Sequence, residues 1–430
     1  MSTTSLATRP KLRIATAGSV DDGKSTLIGR LLHDTKTVFE DQLQAVVKAS
    51  SRYGDGETNL ALLTDGLRAE REQGITIDVA HRYFATPARS FIVADTPGHA
   101  QYTRNMVTGA STSDIAIVLV DARHGVVDQT CRHALIASLL GVDTIVVAVN
   151  KMDLVGWDEA TFVCIANEVR TFVHALPHGV PVTAIPMSAL LGDNVVDRSS
   201  NTPWYDGPAL LEYLEEFDIE ADHEHGARVH VQRVIRPQGG PHADFRGYAG
   251  VVAAGTLRVG DSITVLPSGR ISSVAALHRW GAVVATAEPG HAVVVELADD
   301  VDIARGDVLL AGGASTPPVV AEDVVVDVCW MIDQPLVTGS RHWFKHGTRG
   351  GYATVTEVQH RYDLVAGAHQ PAAQLLLNDI GRVRLQLSEP IVADVYRHHA
   401  EGGRLILIDA ATNTTAGAAM IVRVYTGTES

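Results

Sequence analysis

The chain has 430 residues, 46% hydrophobic and 20% charged, with a formal net charge of −15 at pH 7. This length allows several domains with separate cores, and no run of about 18 apolar residues predicts a membrane span or a secretory signal. From Gly226 onward there are 17 basic and 20 acidic residues, against 18 and 30 before it. No strongly basic face is expected, so nucleic-acid binding is disfavoured, and we expect a cytoplasmic protein with no membrane partner.

The first predicted element is a strand at residues 12–17, followed by a glycine-rich loop and a helix at residues 26–32. The loop consists of Gly18, Ser19, Val20, Asp21, Asp22, Gly23, Lys24 and Ser25, and Thr26 follows it. The spacing G-x-x-x-x-G-K-S lets backbone N–H groups and the helix N-terminus face phosphates, with Lys24 reaching the terminal phosphates and Ser25 available to Mg²⁺. We interpret the segment as a phosphate-binding loop; the alternative is an ordinary glycine turn.

Short apolar runs then alternate with amphipathic segments of helical length. Strands are predicted at residues 77–84, 90–94, 114–120, 144–149 and 182–187, and helices at 38–50, 101–109, 129–140 and 158–174. Continuous apolar strands that alternate with helices are typical of a mainly parallel sheet covered on both faces. The pattern predicts an α/β nucleotide-binding domain over residues 1–218.

Beyond an acidic predicted linker at 220–225, the helical period gives way to short Val-rich runs separated by turn residues. Regular turn signals of this kind are typical of small antiparallel β-barrels. Two barrels are expected, at residues 226–315 and 320–430. Their predicted strands are 228–235, 248–257, 261–266 and 292–297 in the first, and 324–330, 352–359, 374–377, 382–387 and 404–408 in the second.

A second motif, Asp95, Thr96, Pro97 and Gly98, directly follows the predicted strand at 90–94. Open α/β sheets bind their ligands at the carboxyl ends of the strands. We therefore expect Asp95 to hold Mg²⁺ through water and the Gly98 N–H to meet a γ-phosphate. A lone D-x-x-G is also a common turn, but its place after a phosphate loop favours ligand binding.

A third motif, Asn150, Lys151, Met152 and Asp153, follows the predicted strand at 144–149. The Asp153 carboxylate can accept hydrogen bonds from N1–H and the 2-amino group of guanine, donors that adenine lacks there. Such a polar site can discriminate between bases by roughly 10⁴ to 10⁵. A fourth segment, Ser188, Ala189 and Leu190, fits a loop whose backbone N–H groups support the base. Together the motifs predict GTP and Mg²⁺ as ligands.

Taken as a set, these motifs resemble the translation-factor class of GTPases. Residues 71–77 look like the first switch of that class and residues 95–99 like the second. The resemblance implies that Thr76 closes over Mg²⁺ and the γ-phosphate and that His99 positions the attacking water, so catalysis would depend on positioning and electrostatics. Without the resemblance, His99 could be a histidine at the start of a surface helix and Thr76 a strand residue.

Within this class, the chain closely resembles the GTP-binding large subunit of bacterial sulfate adenylyltransferase. Elongation factors typically carry His where this chain has Ser19 and Asp22. Further similar segments are 63–70, 101–106, 244–250, 345–348, 377–383, 407–409 and 412–413. Residues 33–76 and 95–110 are the expected switch segments, whose order depends on the γ-phosphate and which would touch a partner subunit.

The resemblance implies a division of labour between two subunits. A small catalytic subunit would bind ATP and sulfate and form adenosine 5′-phosphosulfate and pyrophosphate, in a heterodimer or a higher assembly. This chain would hydrolyse GTP to drive that transfer. Some family members carry a fused kinase, but no second phosphate loop is present in this sequence, so we do not expect kinase activity.

Two other functions also fit the GTPase motifs. A translation elongation factor would share the fold and the GTP chemistry but would deliver charged tRNA; the charge balance and the Ser19 and Asp22 signature disfavour it. A regulatory GTP-binding switch would bind GTP with negligible turnover. The resemblance of His99 and Thr76 to hydrolytic residues disfavours that second alternative.

Overall fold

The computed structural model describes residues 9–37, 60, 78–98, 103–176, 179–219, 226–239, 244–312, 317–363 and 368–425. Two compact units divide the chain: Met1–Ile219 with Asp363–Ala368, and Glu220–Tyr362 with His369–Ser430. Within the described residues, no helix is both long and apolar enough to cross a membrane. The predicted helix at 38–50 and the predicted linker at 220–225 lie outside them. The domain boundaries at 1–218, 226–315 and 320–430 stay a prediction.

The first unit is an α/β layer structure. Its described strands are β1 (Leu12–Ala17), β2 (Ala80–Ala85), β3 (Ser90–Asp95), β4 (Ile115–Asp121), β5 (Thr144–Asn150) and β6 (Val182–Pro186). Its described helices are α1 (Lys24–Asp34), α2 (Thr103–Ala110), α3 (Asp128–Leu139), α4 (Glu159–Ala175) and α5 (Leu210–Glu216). The sheet order is β2-β3-β1-β4-β5-β6, and every pair is parallel except β2 with β3. The prediction of a mainly parallel sheet is confirmed.

The burial of these elements explains why the segments fold as they do. Every residue of β4 and β5 is buried, as expected for continuous apolar strands covered on both faces. In α4 the buried residues recur at helical spacing, for example Phe162, Val169 and Val173. Asp158 caps the helix, because its carboxylate accepts the Thr161 N–H at 2.8 Å. The carboxyl ends of the five parallel strands meet at one edge of the sheet.

The second unit contains two closed antiparallel barrels. The strands of the first barrel are β7 (Ala227–Ile235), β8 (Gly247–Ala254), β9 (Leu257–Arg258), β10 (Ser262–Leu266), β11 (Arg270–Arg279), β12 (Ala282–Val284), β13 (Thr286–Ala287), β14 (Ala292–Leu297) and β15 (Val308–Ala311). The order is β10-β15-β7-β8-β14-β11, and β11 pairs back onto β10. Six strands therefore close the first barrel, and β12 extends it as a hairpin.

The second barrel has the same closed form. Its strands are β16 (Val319–Trp330), β17 (Leu336–Val337), β18 (Arg341–His346), β19 (Arg349–Tyr362), β20 (His369–Gln370), β21 (Gln374–Leu375), β22 (Ile380–Ala393), β23 (Arg404–Ile408) and β24 (Thr415–Tyr425), and a short helix α6 (Ala400–Gly403) precedes β23. The order β18-β23-β24-β16-β22-β19 closes through the β18–β19 pair. The predicted architecture, an α/β domain followed by two antiparallel β-barrels, is confirmed.

Candidate nucleotide-binding site

The four sequence motifs meet at one edge of the first unit's sheet. Gly18 follows β1, Asp95 ends β3, Asn150 ends β5 and Ser188 follows β6. These strands run parallel, so their carboxyl ends form a single ligand-binding edge, as in other open α/β sheets. The structure thus brings together the phosphate loop and the two segments predicted to read the base.

Gly23 gives the phosphate loop its shape at the start of α1. Its φ is +96°, in the left-handed region that favours glycine. A Cβ at this position would also meet the Asn150 side-chain amide closer than a van der Waals contact allows. The loop can therefore approach the β5 end only because residue 23 is glycine.

Lys24 is a buried cation at the centre of the site. Its side chain is only 7% exposed, and Nζ donates to the carbonyl oxygens of Gly18 at 2.9 Å and Ser19 at 2.8 Å. Burial lowers the pKa of Lys24, while Asp95 and Asp22 oppose that shift. A cation held in the loop and away from water interacts strongly with any phosphate that enters.

Asp22 stabilises the phosphate loop through a hydrogen bond to its backbone. Its carboxylate accepts the Ser19 N–H at 2.5 Å, and burial raises the pKa of Asp22 against the effect of that hydrogen bond and of Lys24. The Ser19 hydroxyl oxygen is buried and has no hydrogen-bond partner in the described part of the chain. An unpaired buried hydroxyl in a phosphate loop is suited to a polar ligand atom.

The segment after β3 packs directly onto the phosphate loop. A Cβ on Gly98 would lie 2.5 Å from Lys24 Nζ and 2.7 Å from the Gly18 carbonyl oxygen. Thr96 donates its hydroxyl to the Thr16 carbonyl at 2.5 Å, which ties the segment to β1. Asp95 is 2% exposed and faces the buried cation of Lys24.

Asn150 connects the phosphate loop to the predicted base loop. Its amide nitrogen donates to the Asp22 carbonyl at 2.7 Å, and its amide oxygen accepts the Ala189 N–H at 2.8 Å. One side chain therefore satisfies backbone groups of two loops at once. Its removal would leave both groups unpaired in a buried position.

Lys151 binds the backbone of the phosphate loop and the buried carboxylate of Asp121. Its Nζ donates to the Asp21 carbonyl at 2.5 Å and lies 2.9 Å from Asp121 Oδ2. Asp121 is 2% exposed and also accepts hydrogen bonds from the Arg123 guanidinium, with Nη2 to Oδ2 at 2.6 Å. Burial alone would raise the pKa of Asp121, but the hydrogen bonds from Arg123 and Lys151 hold it well below its ordinary value.

The predicted base-reading residues lie in two short turns. Met152 is fully buried, whereas Asp153 is half-buried in the single 3₁₀ turn Met152–Val155. Ser188 accepts the Leu191 N–H at 3.3 Å, and its own N–H donates to the Asp193 carbonyl at 3.2 Å. These bonds shape the loop without using the Asp153 carboxylate.

Several supporting residues were not predicted from the sequence. His133 on α3 accepts the Gly18 N–H at 3.0 Å, and Arg30 on α1 donates to the Ala189 carbonyl at 3.2 Å. Asp121 and Arg123 form the ion pair that holds Lys151. No local pattern marks these side chains, because each acts on a segment far away in the sequence.

Two predicted residues, Thr76 and His99, lie outside the described residues. So do the first-switch segment 71–77 and the similar segment 63–70. The predicted roles of Thr76 on Mg²⁺ and His99 on water stay predictions.

The residues present fit a nucleoside triphosphate with Mg²⁺. The unpaired Ser19 hydroxyl and the buried Lys24 cation suit phosphate oxygens. Ser25 at the start of α1 is half-buried and, with Asp95, supplies the oxygen ligands that Mg²⁺ prefers.

Comparison with known proteins identifies the same domain types. Residues 9–220 match the elongation factor Tu GTP binding domain, and residues 323–422 match the GTP-eEF1A C-terminal domain-like family. Among solved structures, that of Sup35 complexed with GMPPNP covers 97% of this chain and 95% of its own, with 23% identity and a TM-score of 0.43.

Curated relatives cover nearly the whole chain. Sulfate adenylyltransferase subunit 1 of Laribacter hongkongensis is 50% identical over 96% of this chain and 85% of its own length. The protein of that name from Citrobacter koseri is 50% identical over 95% of this chain and 86% of its length. The bifunctional enzyme CysN/CysC of Mycobacterium tuberculosis is 51% identical, and the match covers 96% of this chain and 67% of that enzyme.

Proposed function

The chain belongs to the sulfate adenylyltransferase subunit 1 family, and we propose that it is the GTP-hydrolysing subunit of a sulfate-activating enzyme. The observation that carries the proposal is the identity of 50% over 96% of the chain. A GTP-binding domain over residues 9–220 and the assembled phosphate loop supply the site that such a subunit needs. The protein would act in the cytoplasm.

GTP would lie across the carboxyl edge of the first unit's sheet. The phosphate-loop N–H groups, Lys24 and Gly98 would face its phosphates, and Asp153 would read the guanine edge. Ser188, Ala189 and Leu190 would support the base. This assignment is favoured by Asn150, which already links the two loops through Asp22 and Ala189.

Mg²⁺ would be held by Ser25, Thr76 and Asp95. When bound, the ion would neutralise the negative charge that develops during phosphoryl transfer. Lys24 would add a fixed positive charge in a site with little water. His99 would orient the attacking water, so that the protein contributes positioning and electrostatics.

The adenylyl transfer itself would occur on a separate small catalytic subunit that binds ATP and sulfate. The products would be adenosine 5′-phosphosulfate and pyrophosphate. The designation of the relatives as subunit 1 supports a partner subunit. Hydrolysis of GTP on this chain would then make an unfavourable transfer proceed.

Pyrophosphate release from ATP and sulfate tests this proposal. The purified chain is mixed with the candidate small subunit, and the final yield is measured with GTP, with GDP and without guanine nucleotide. We expect GTP to raise the yield above the level that ATP and sulfate alone support, and GDP not to do so. If the chain hydrolyses GTP at the same rate with and without sulfate and the small subunit, the proposal is contradicted. Co-purification of the chain with tRNA or ribosomes would instead favour the elongation-factor alternative.

A further inference from the structure

One outer face of the second barrel combines aromatic and basic side chains. In β18 the residues His342, Phe344 and His346 point inward, with exposures of 4%, 0% and 5%, so the alternate residues point to solvent. The neighbouring strands β19 and β23 pair with β18 on either side. The outward residues of the three strands, which we call the Trp343 face, are Arg341, Trp343, Lys345, Tyr352, Ile406 and Ile408.

The aromatic residues of the Trp343 face are held in place although they are exposed. Trp343 and Tyr352 are 39% and 37% exposed, and their ring centroids are 5.0 Å apart in an edge-to-face contact. The Arg341 guanidinium lies 3.9 Å from the Tyr352 ring centroid. The indole also covers Gly350, where a Cβ would come within 3.3 Å of Trp343 Nε1. Side chains that are already ordered lose little conformational entropy when a partner binds.

No carboxylate that the structure describes forms an ion pair with the cations of this face. Arg341, Lys345 and the adjacent Arg404 are exposed, and none of the three forms an ion pair with another residue that the structure describes. Other arginines of the same barrel behave differently: Arg382 pairs with Asp327 at 2.8 Å and Arg384 with Asp323 at 2.5 Å. In a chain of net charge −15, unpaired cations around exposed aromatic rings are suited to an acidic partner surface.

The residue types of the Trp343 face are those that contribute most of the binding energy in protein–protein interfaces. Trp, Tyr and Arg are the side chains most enriched among interface hot spots. The half-buried Ile406 and Ile408 extend the apolar part of the face. Within the described residues nothing accepts the Trp343 indole N–H, so it is available to a carbonyl or carboxylate oxygen of a partner.

We propose that the Trp343 face binds the partner subunit, and that it contacts an acidic segment of that subunit. The inference rests on the proposed function, which supplies the partner. Carboxylates of the partner would pair with Arg341 and Lys345, while an apolar side chain would cover the indole of Trp343.

Binding of the small subunit to full-length variants tests the proposal. The variants are Trp343→Ala, Trp343→Phe and the double charge reversal Arg341→Glu/Lys345→Glu. Two matched controls lie on the first barrel: Trp280→Ala removes an indole that is 90% exposed, and Arg270→Glu reverses an exposed cation. The dissociation constant is measured by calorimetry at two salt concentrations, and circular dichroism with thermal unfolding checks that each variant is folded.

We expect Trp343→Ala to raise the dissociation constant about 30-fold, as for a hot-spot residue, and Trp343→Phe to raise it less. The charge reversal should raise it about 100-fold at low salt and remove most of the salt dependence, since exposed charges are screened by ions. Both controls should stay within about twofold of the unaltered chain. Hydrogen exchange should show slower exchange at β18 and β19 when the partner binds, which tests the face without any substitution.

Other results would overturn the inference in distinguishable ways. If the unaltered chain binds the small subunit and all Trp343-face variants bind it equally well, the docking surface is wrong but the proposed function stands. If the variants bind the small subunit normally but no longer bind a single-stranded RNA oligonucleotide, the Trp343 face binds RNA and the inference is wrong. If they bind the small subunit normally but no longer self-associate, the face is a contact between copies of this chain and the inference is also wrong. If the unaltered chain does not bind the small subunit at all, both proposals fail.

Discussion

The buried imidazole of His133 holds the first peptide group of the phosphate loop, because its Nδ1 accepts the Gly18 N–H at 3.0 Å. His133 is 2% exposed, and burial lowers its pKa to about 3. The imidazole is therefore neutral near pH 7, and because Nδ1 accepts a hydrogen bond, its proton lies on Nε2. Helix α3 thus fixes the geometry of the loop.

Replacement of His133 by Phe should weaken GTP binding. The Gly18 N–H would remain buried without an acceptor, at a cost of about 1–3 kcal/mol, which corresponds to a dissociation constant about 5- to 160-fold higher. His133→Asn is the matched control, because its amide oxygen can still accept the hydrogen bond. Titration with a fluorescent GTP analogue measures the effect; unchanged affinity in a well-folded His133→Phe protein would contradict this role.

A methyl group at Gly23 should abolish GTP binding. The change imposes a Cβ on a residue with φ +96° and drives that atom into the Asn150 side chain, so the link between the phosphate loop and the base loop is broken. Gly125→Ala is a suitable control, since Gly125 also has positive φ, +69°, but no atom within 4 Å of a Cβ. The affinity should fall by more than about 100-fold in Gly23→Ala only. Equal losses in both variants would mean that backbone strain, and not the contact with Asn150, is responsible.

Asp153 should determine which base is bound. In Asp153→Asn the side chain keeps an acceptor for guanine N1–H but presents a donor to the 2-amino group, so GTP affinity should fall about 100-fold or more. Xanthosine triphosphate carries an oxygen at that position and should bind the variant better than GTP. Competition between the two nucleotides measures the preference. If Asp153→Asn still prefers GTP, then another residue reads the base.

Low pH should destabilise the second unit, because His230 is protonated more readily in the unfolded chain than in the folded one. Burial, together with His346, His399 and Arg228, lowers the pKa of His230 to about 4. The unfolded chain therefore takes up this proton near pH 6.5, before the folded chain does, and stability is lost as the pH falls from about 6.5 to 4. The expected loss is about 3 kcal/mol at pH 4.

Urea unfolding at several pH values checks this prediction. In His230→Gln the titrating group is absent, so the decline between pH 6.5 and 4 should be shallower than in the unaltered chain. The exposed His398→Gln serves as the control. A slope in His230→Gln that equals the slope of the unaltered chain would assign the acid sensitivity to other groups.

The sequence was sufficient to predict that the four motifs meet at one edge of the sheet, because the motifs are local and the strands are strongly apolar. A phosphate loop between a strand and a helix needs no distant contact to be identified, and parallel strands necessarily end at one edge. Some predicted element ends were close to the observed ones, as for residues 129–140 against Asp128–Leu139. Others were wrong, since the strand predicted at 382–387 extends over Ile380–Ala393. The same reasoning could not find His133, because a histidine on a helix looks like any other half-polar core residue until its distant partner is known.

Strands β18 and β24 and helix α5 were not predicted from the sequence, because the sequence of each lacks a clear hydrophobic period. In strand β18, His342 and His346 occupy the inward face. The sequence therefore lacks the alternation of apolar and polar residues that is typical of a strand. Strand β24 starts with Ala and Gly residues that have weak strand preference. The seven-residue helix α5 is too short for a clear period, yet Leu210, Leu211 and Leu214 bury it against the sheet core. Tertiary packing, rather than local preference, fixed these elements.

The final yield of adenosine 5′-phosphosulfate tests the central claim most directly. ATP and sulfate are brought to equilibrium with the chain and its small subunit, and GTP is then added. If GTP hydrolysis drives the transfer, the yield should rise above the level that ATP and sulfate alone support, and the Lys24→Ala chain should not raise it whereas the exposed Lys11→Ala control should. A faster approach to an unchanged yield would contradict energy coupling and would leave this chain as an activator of its partner.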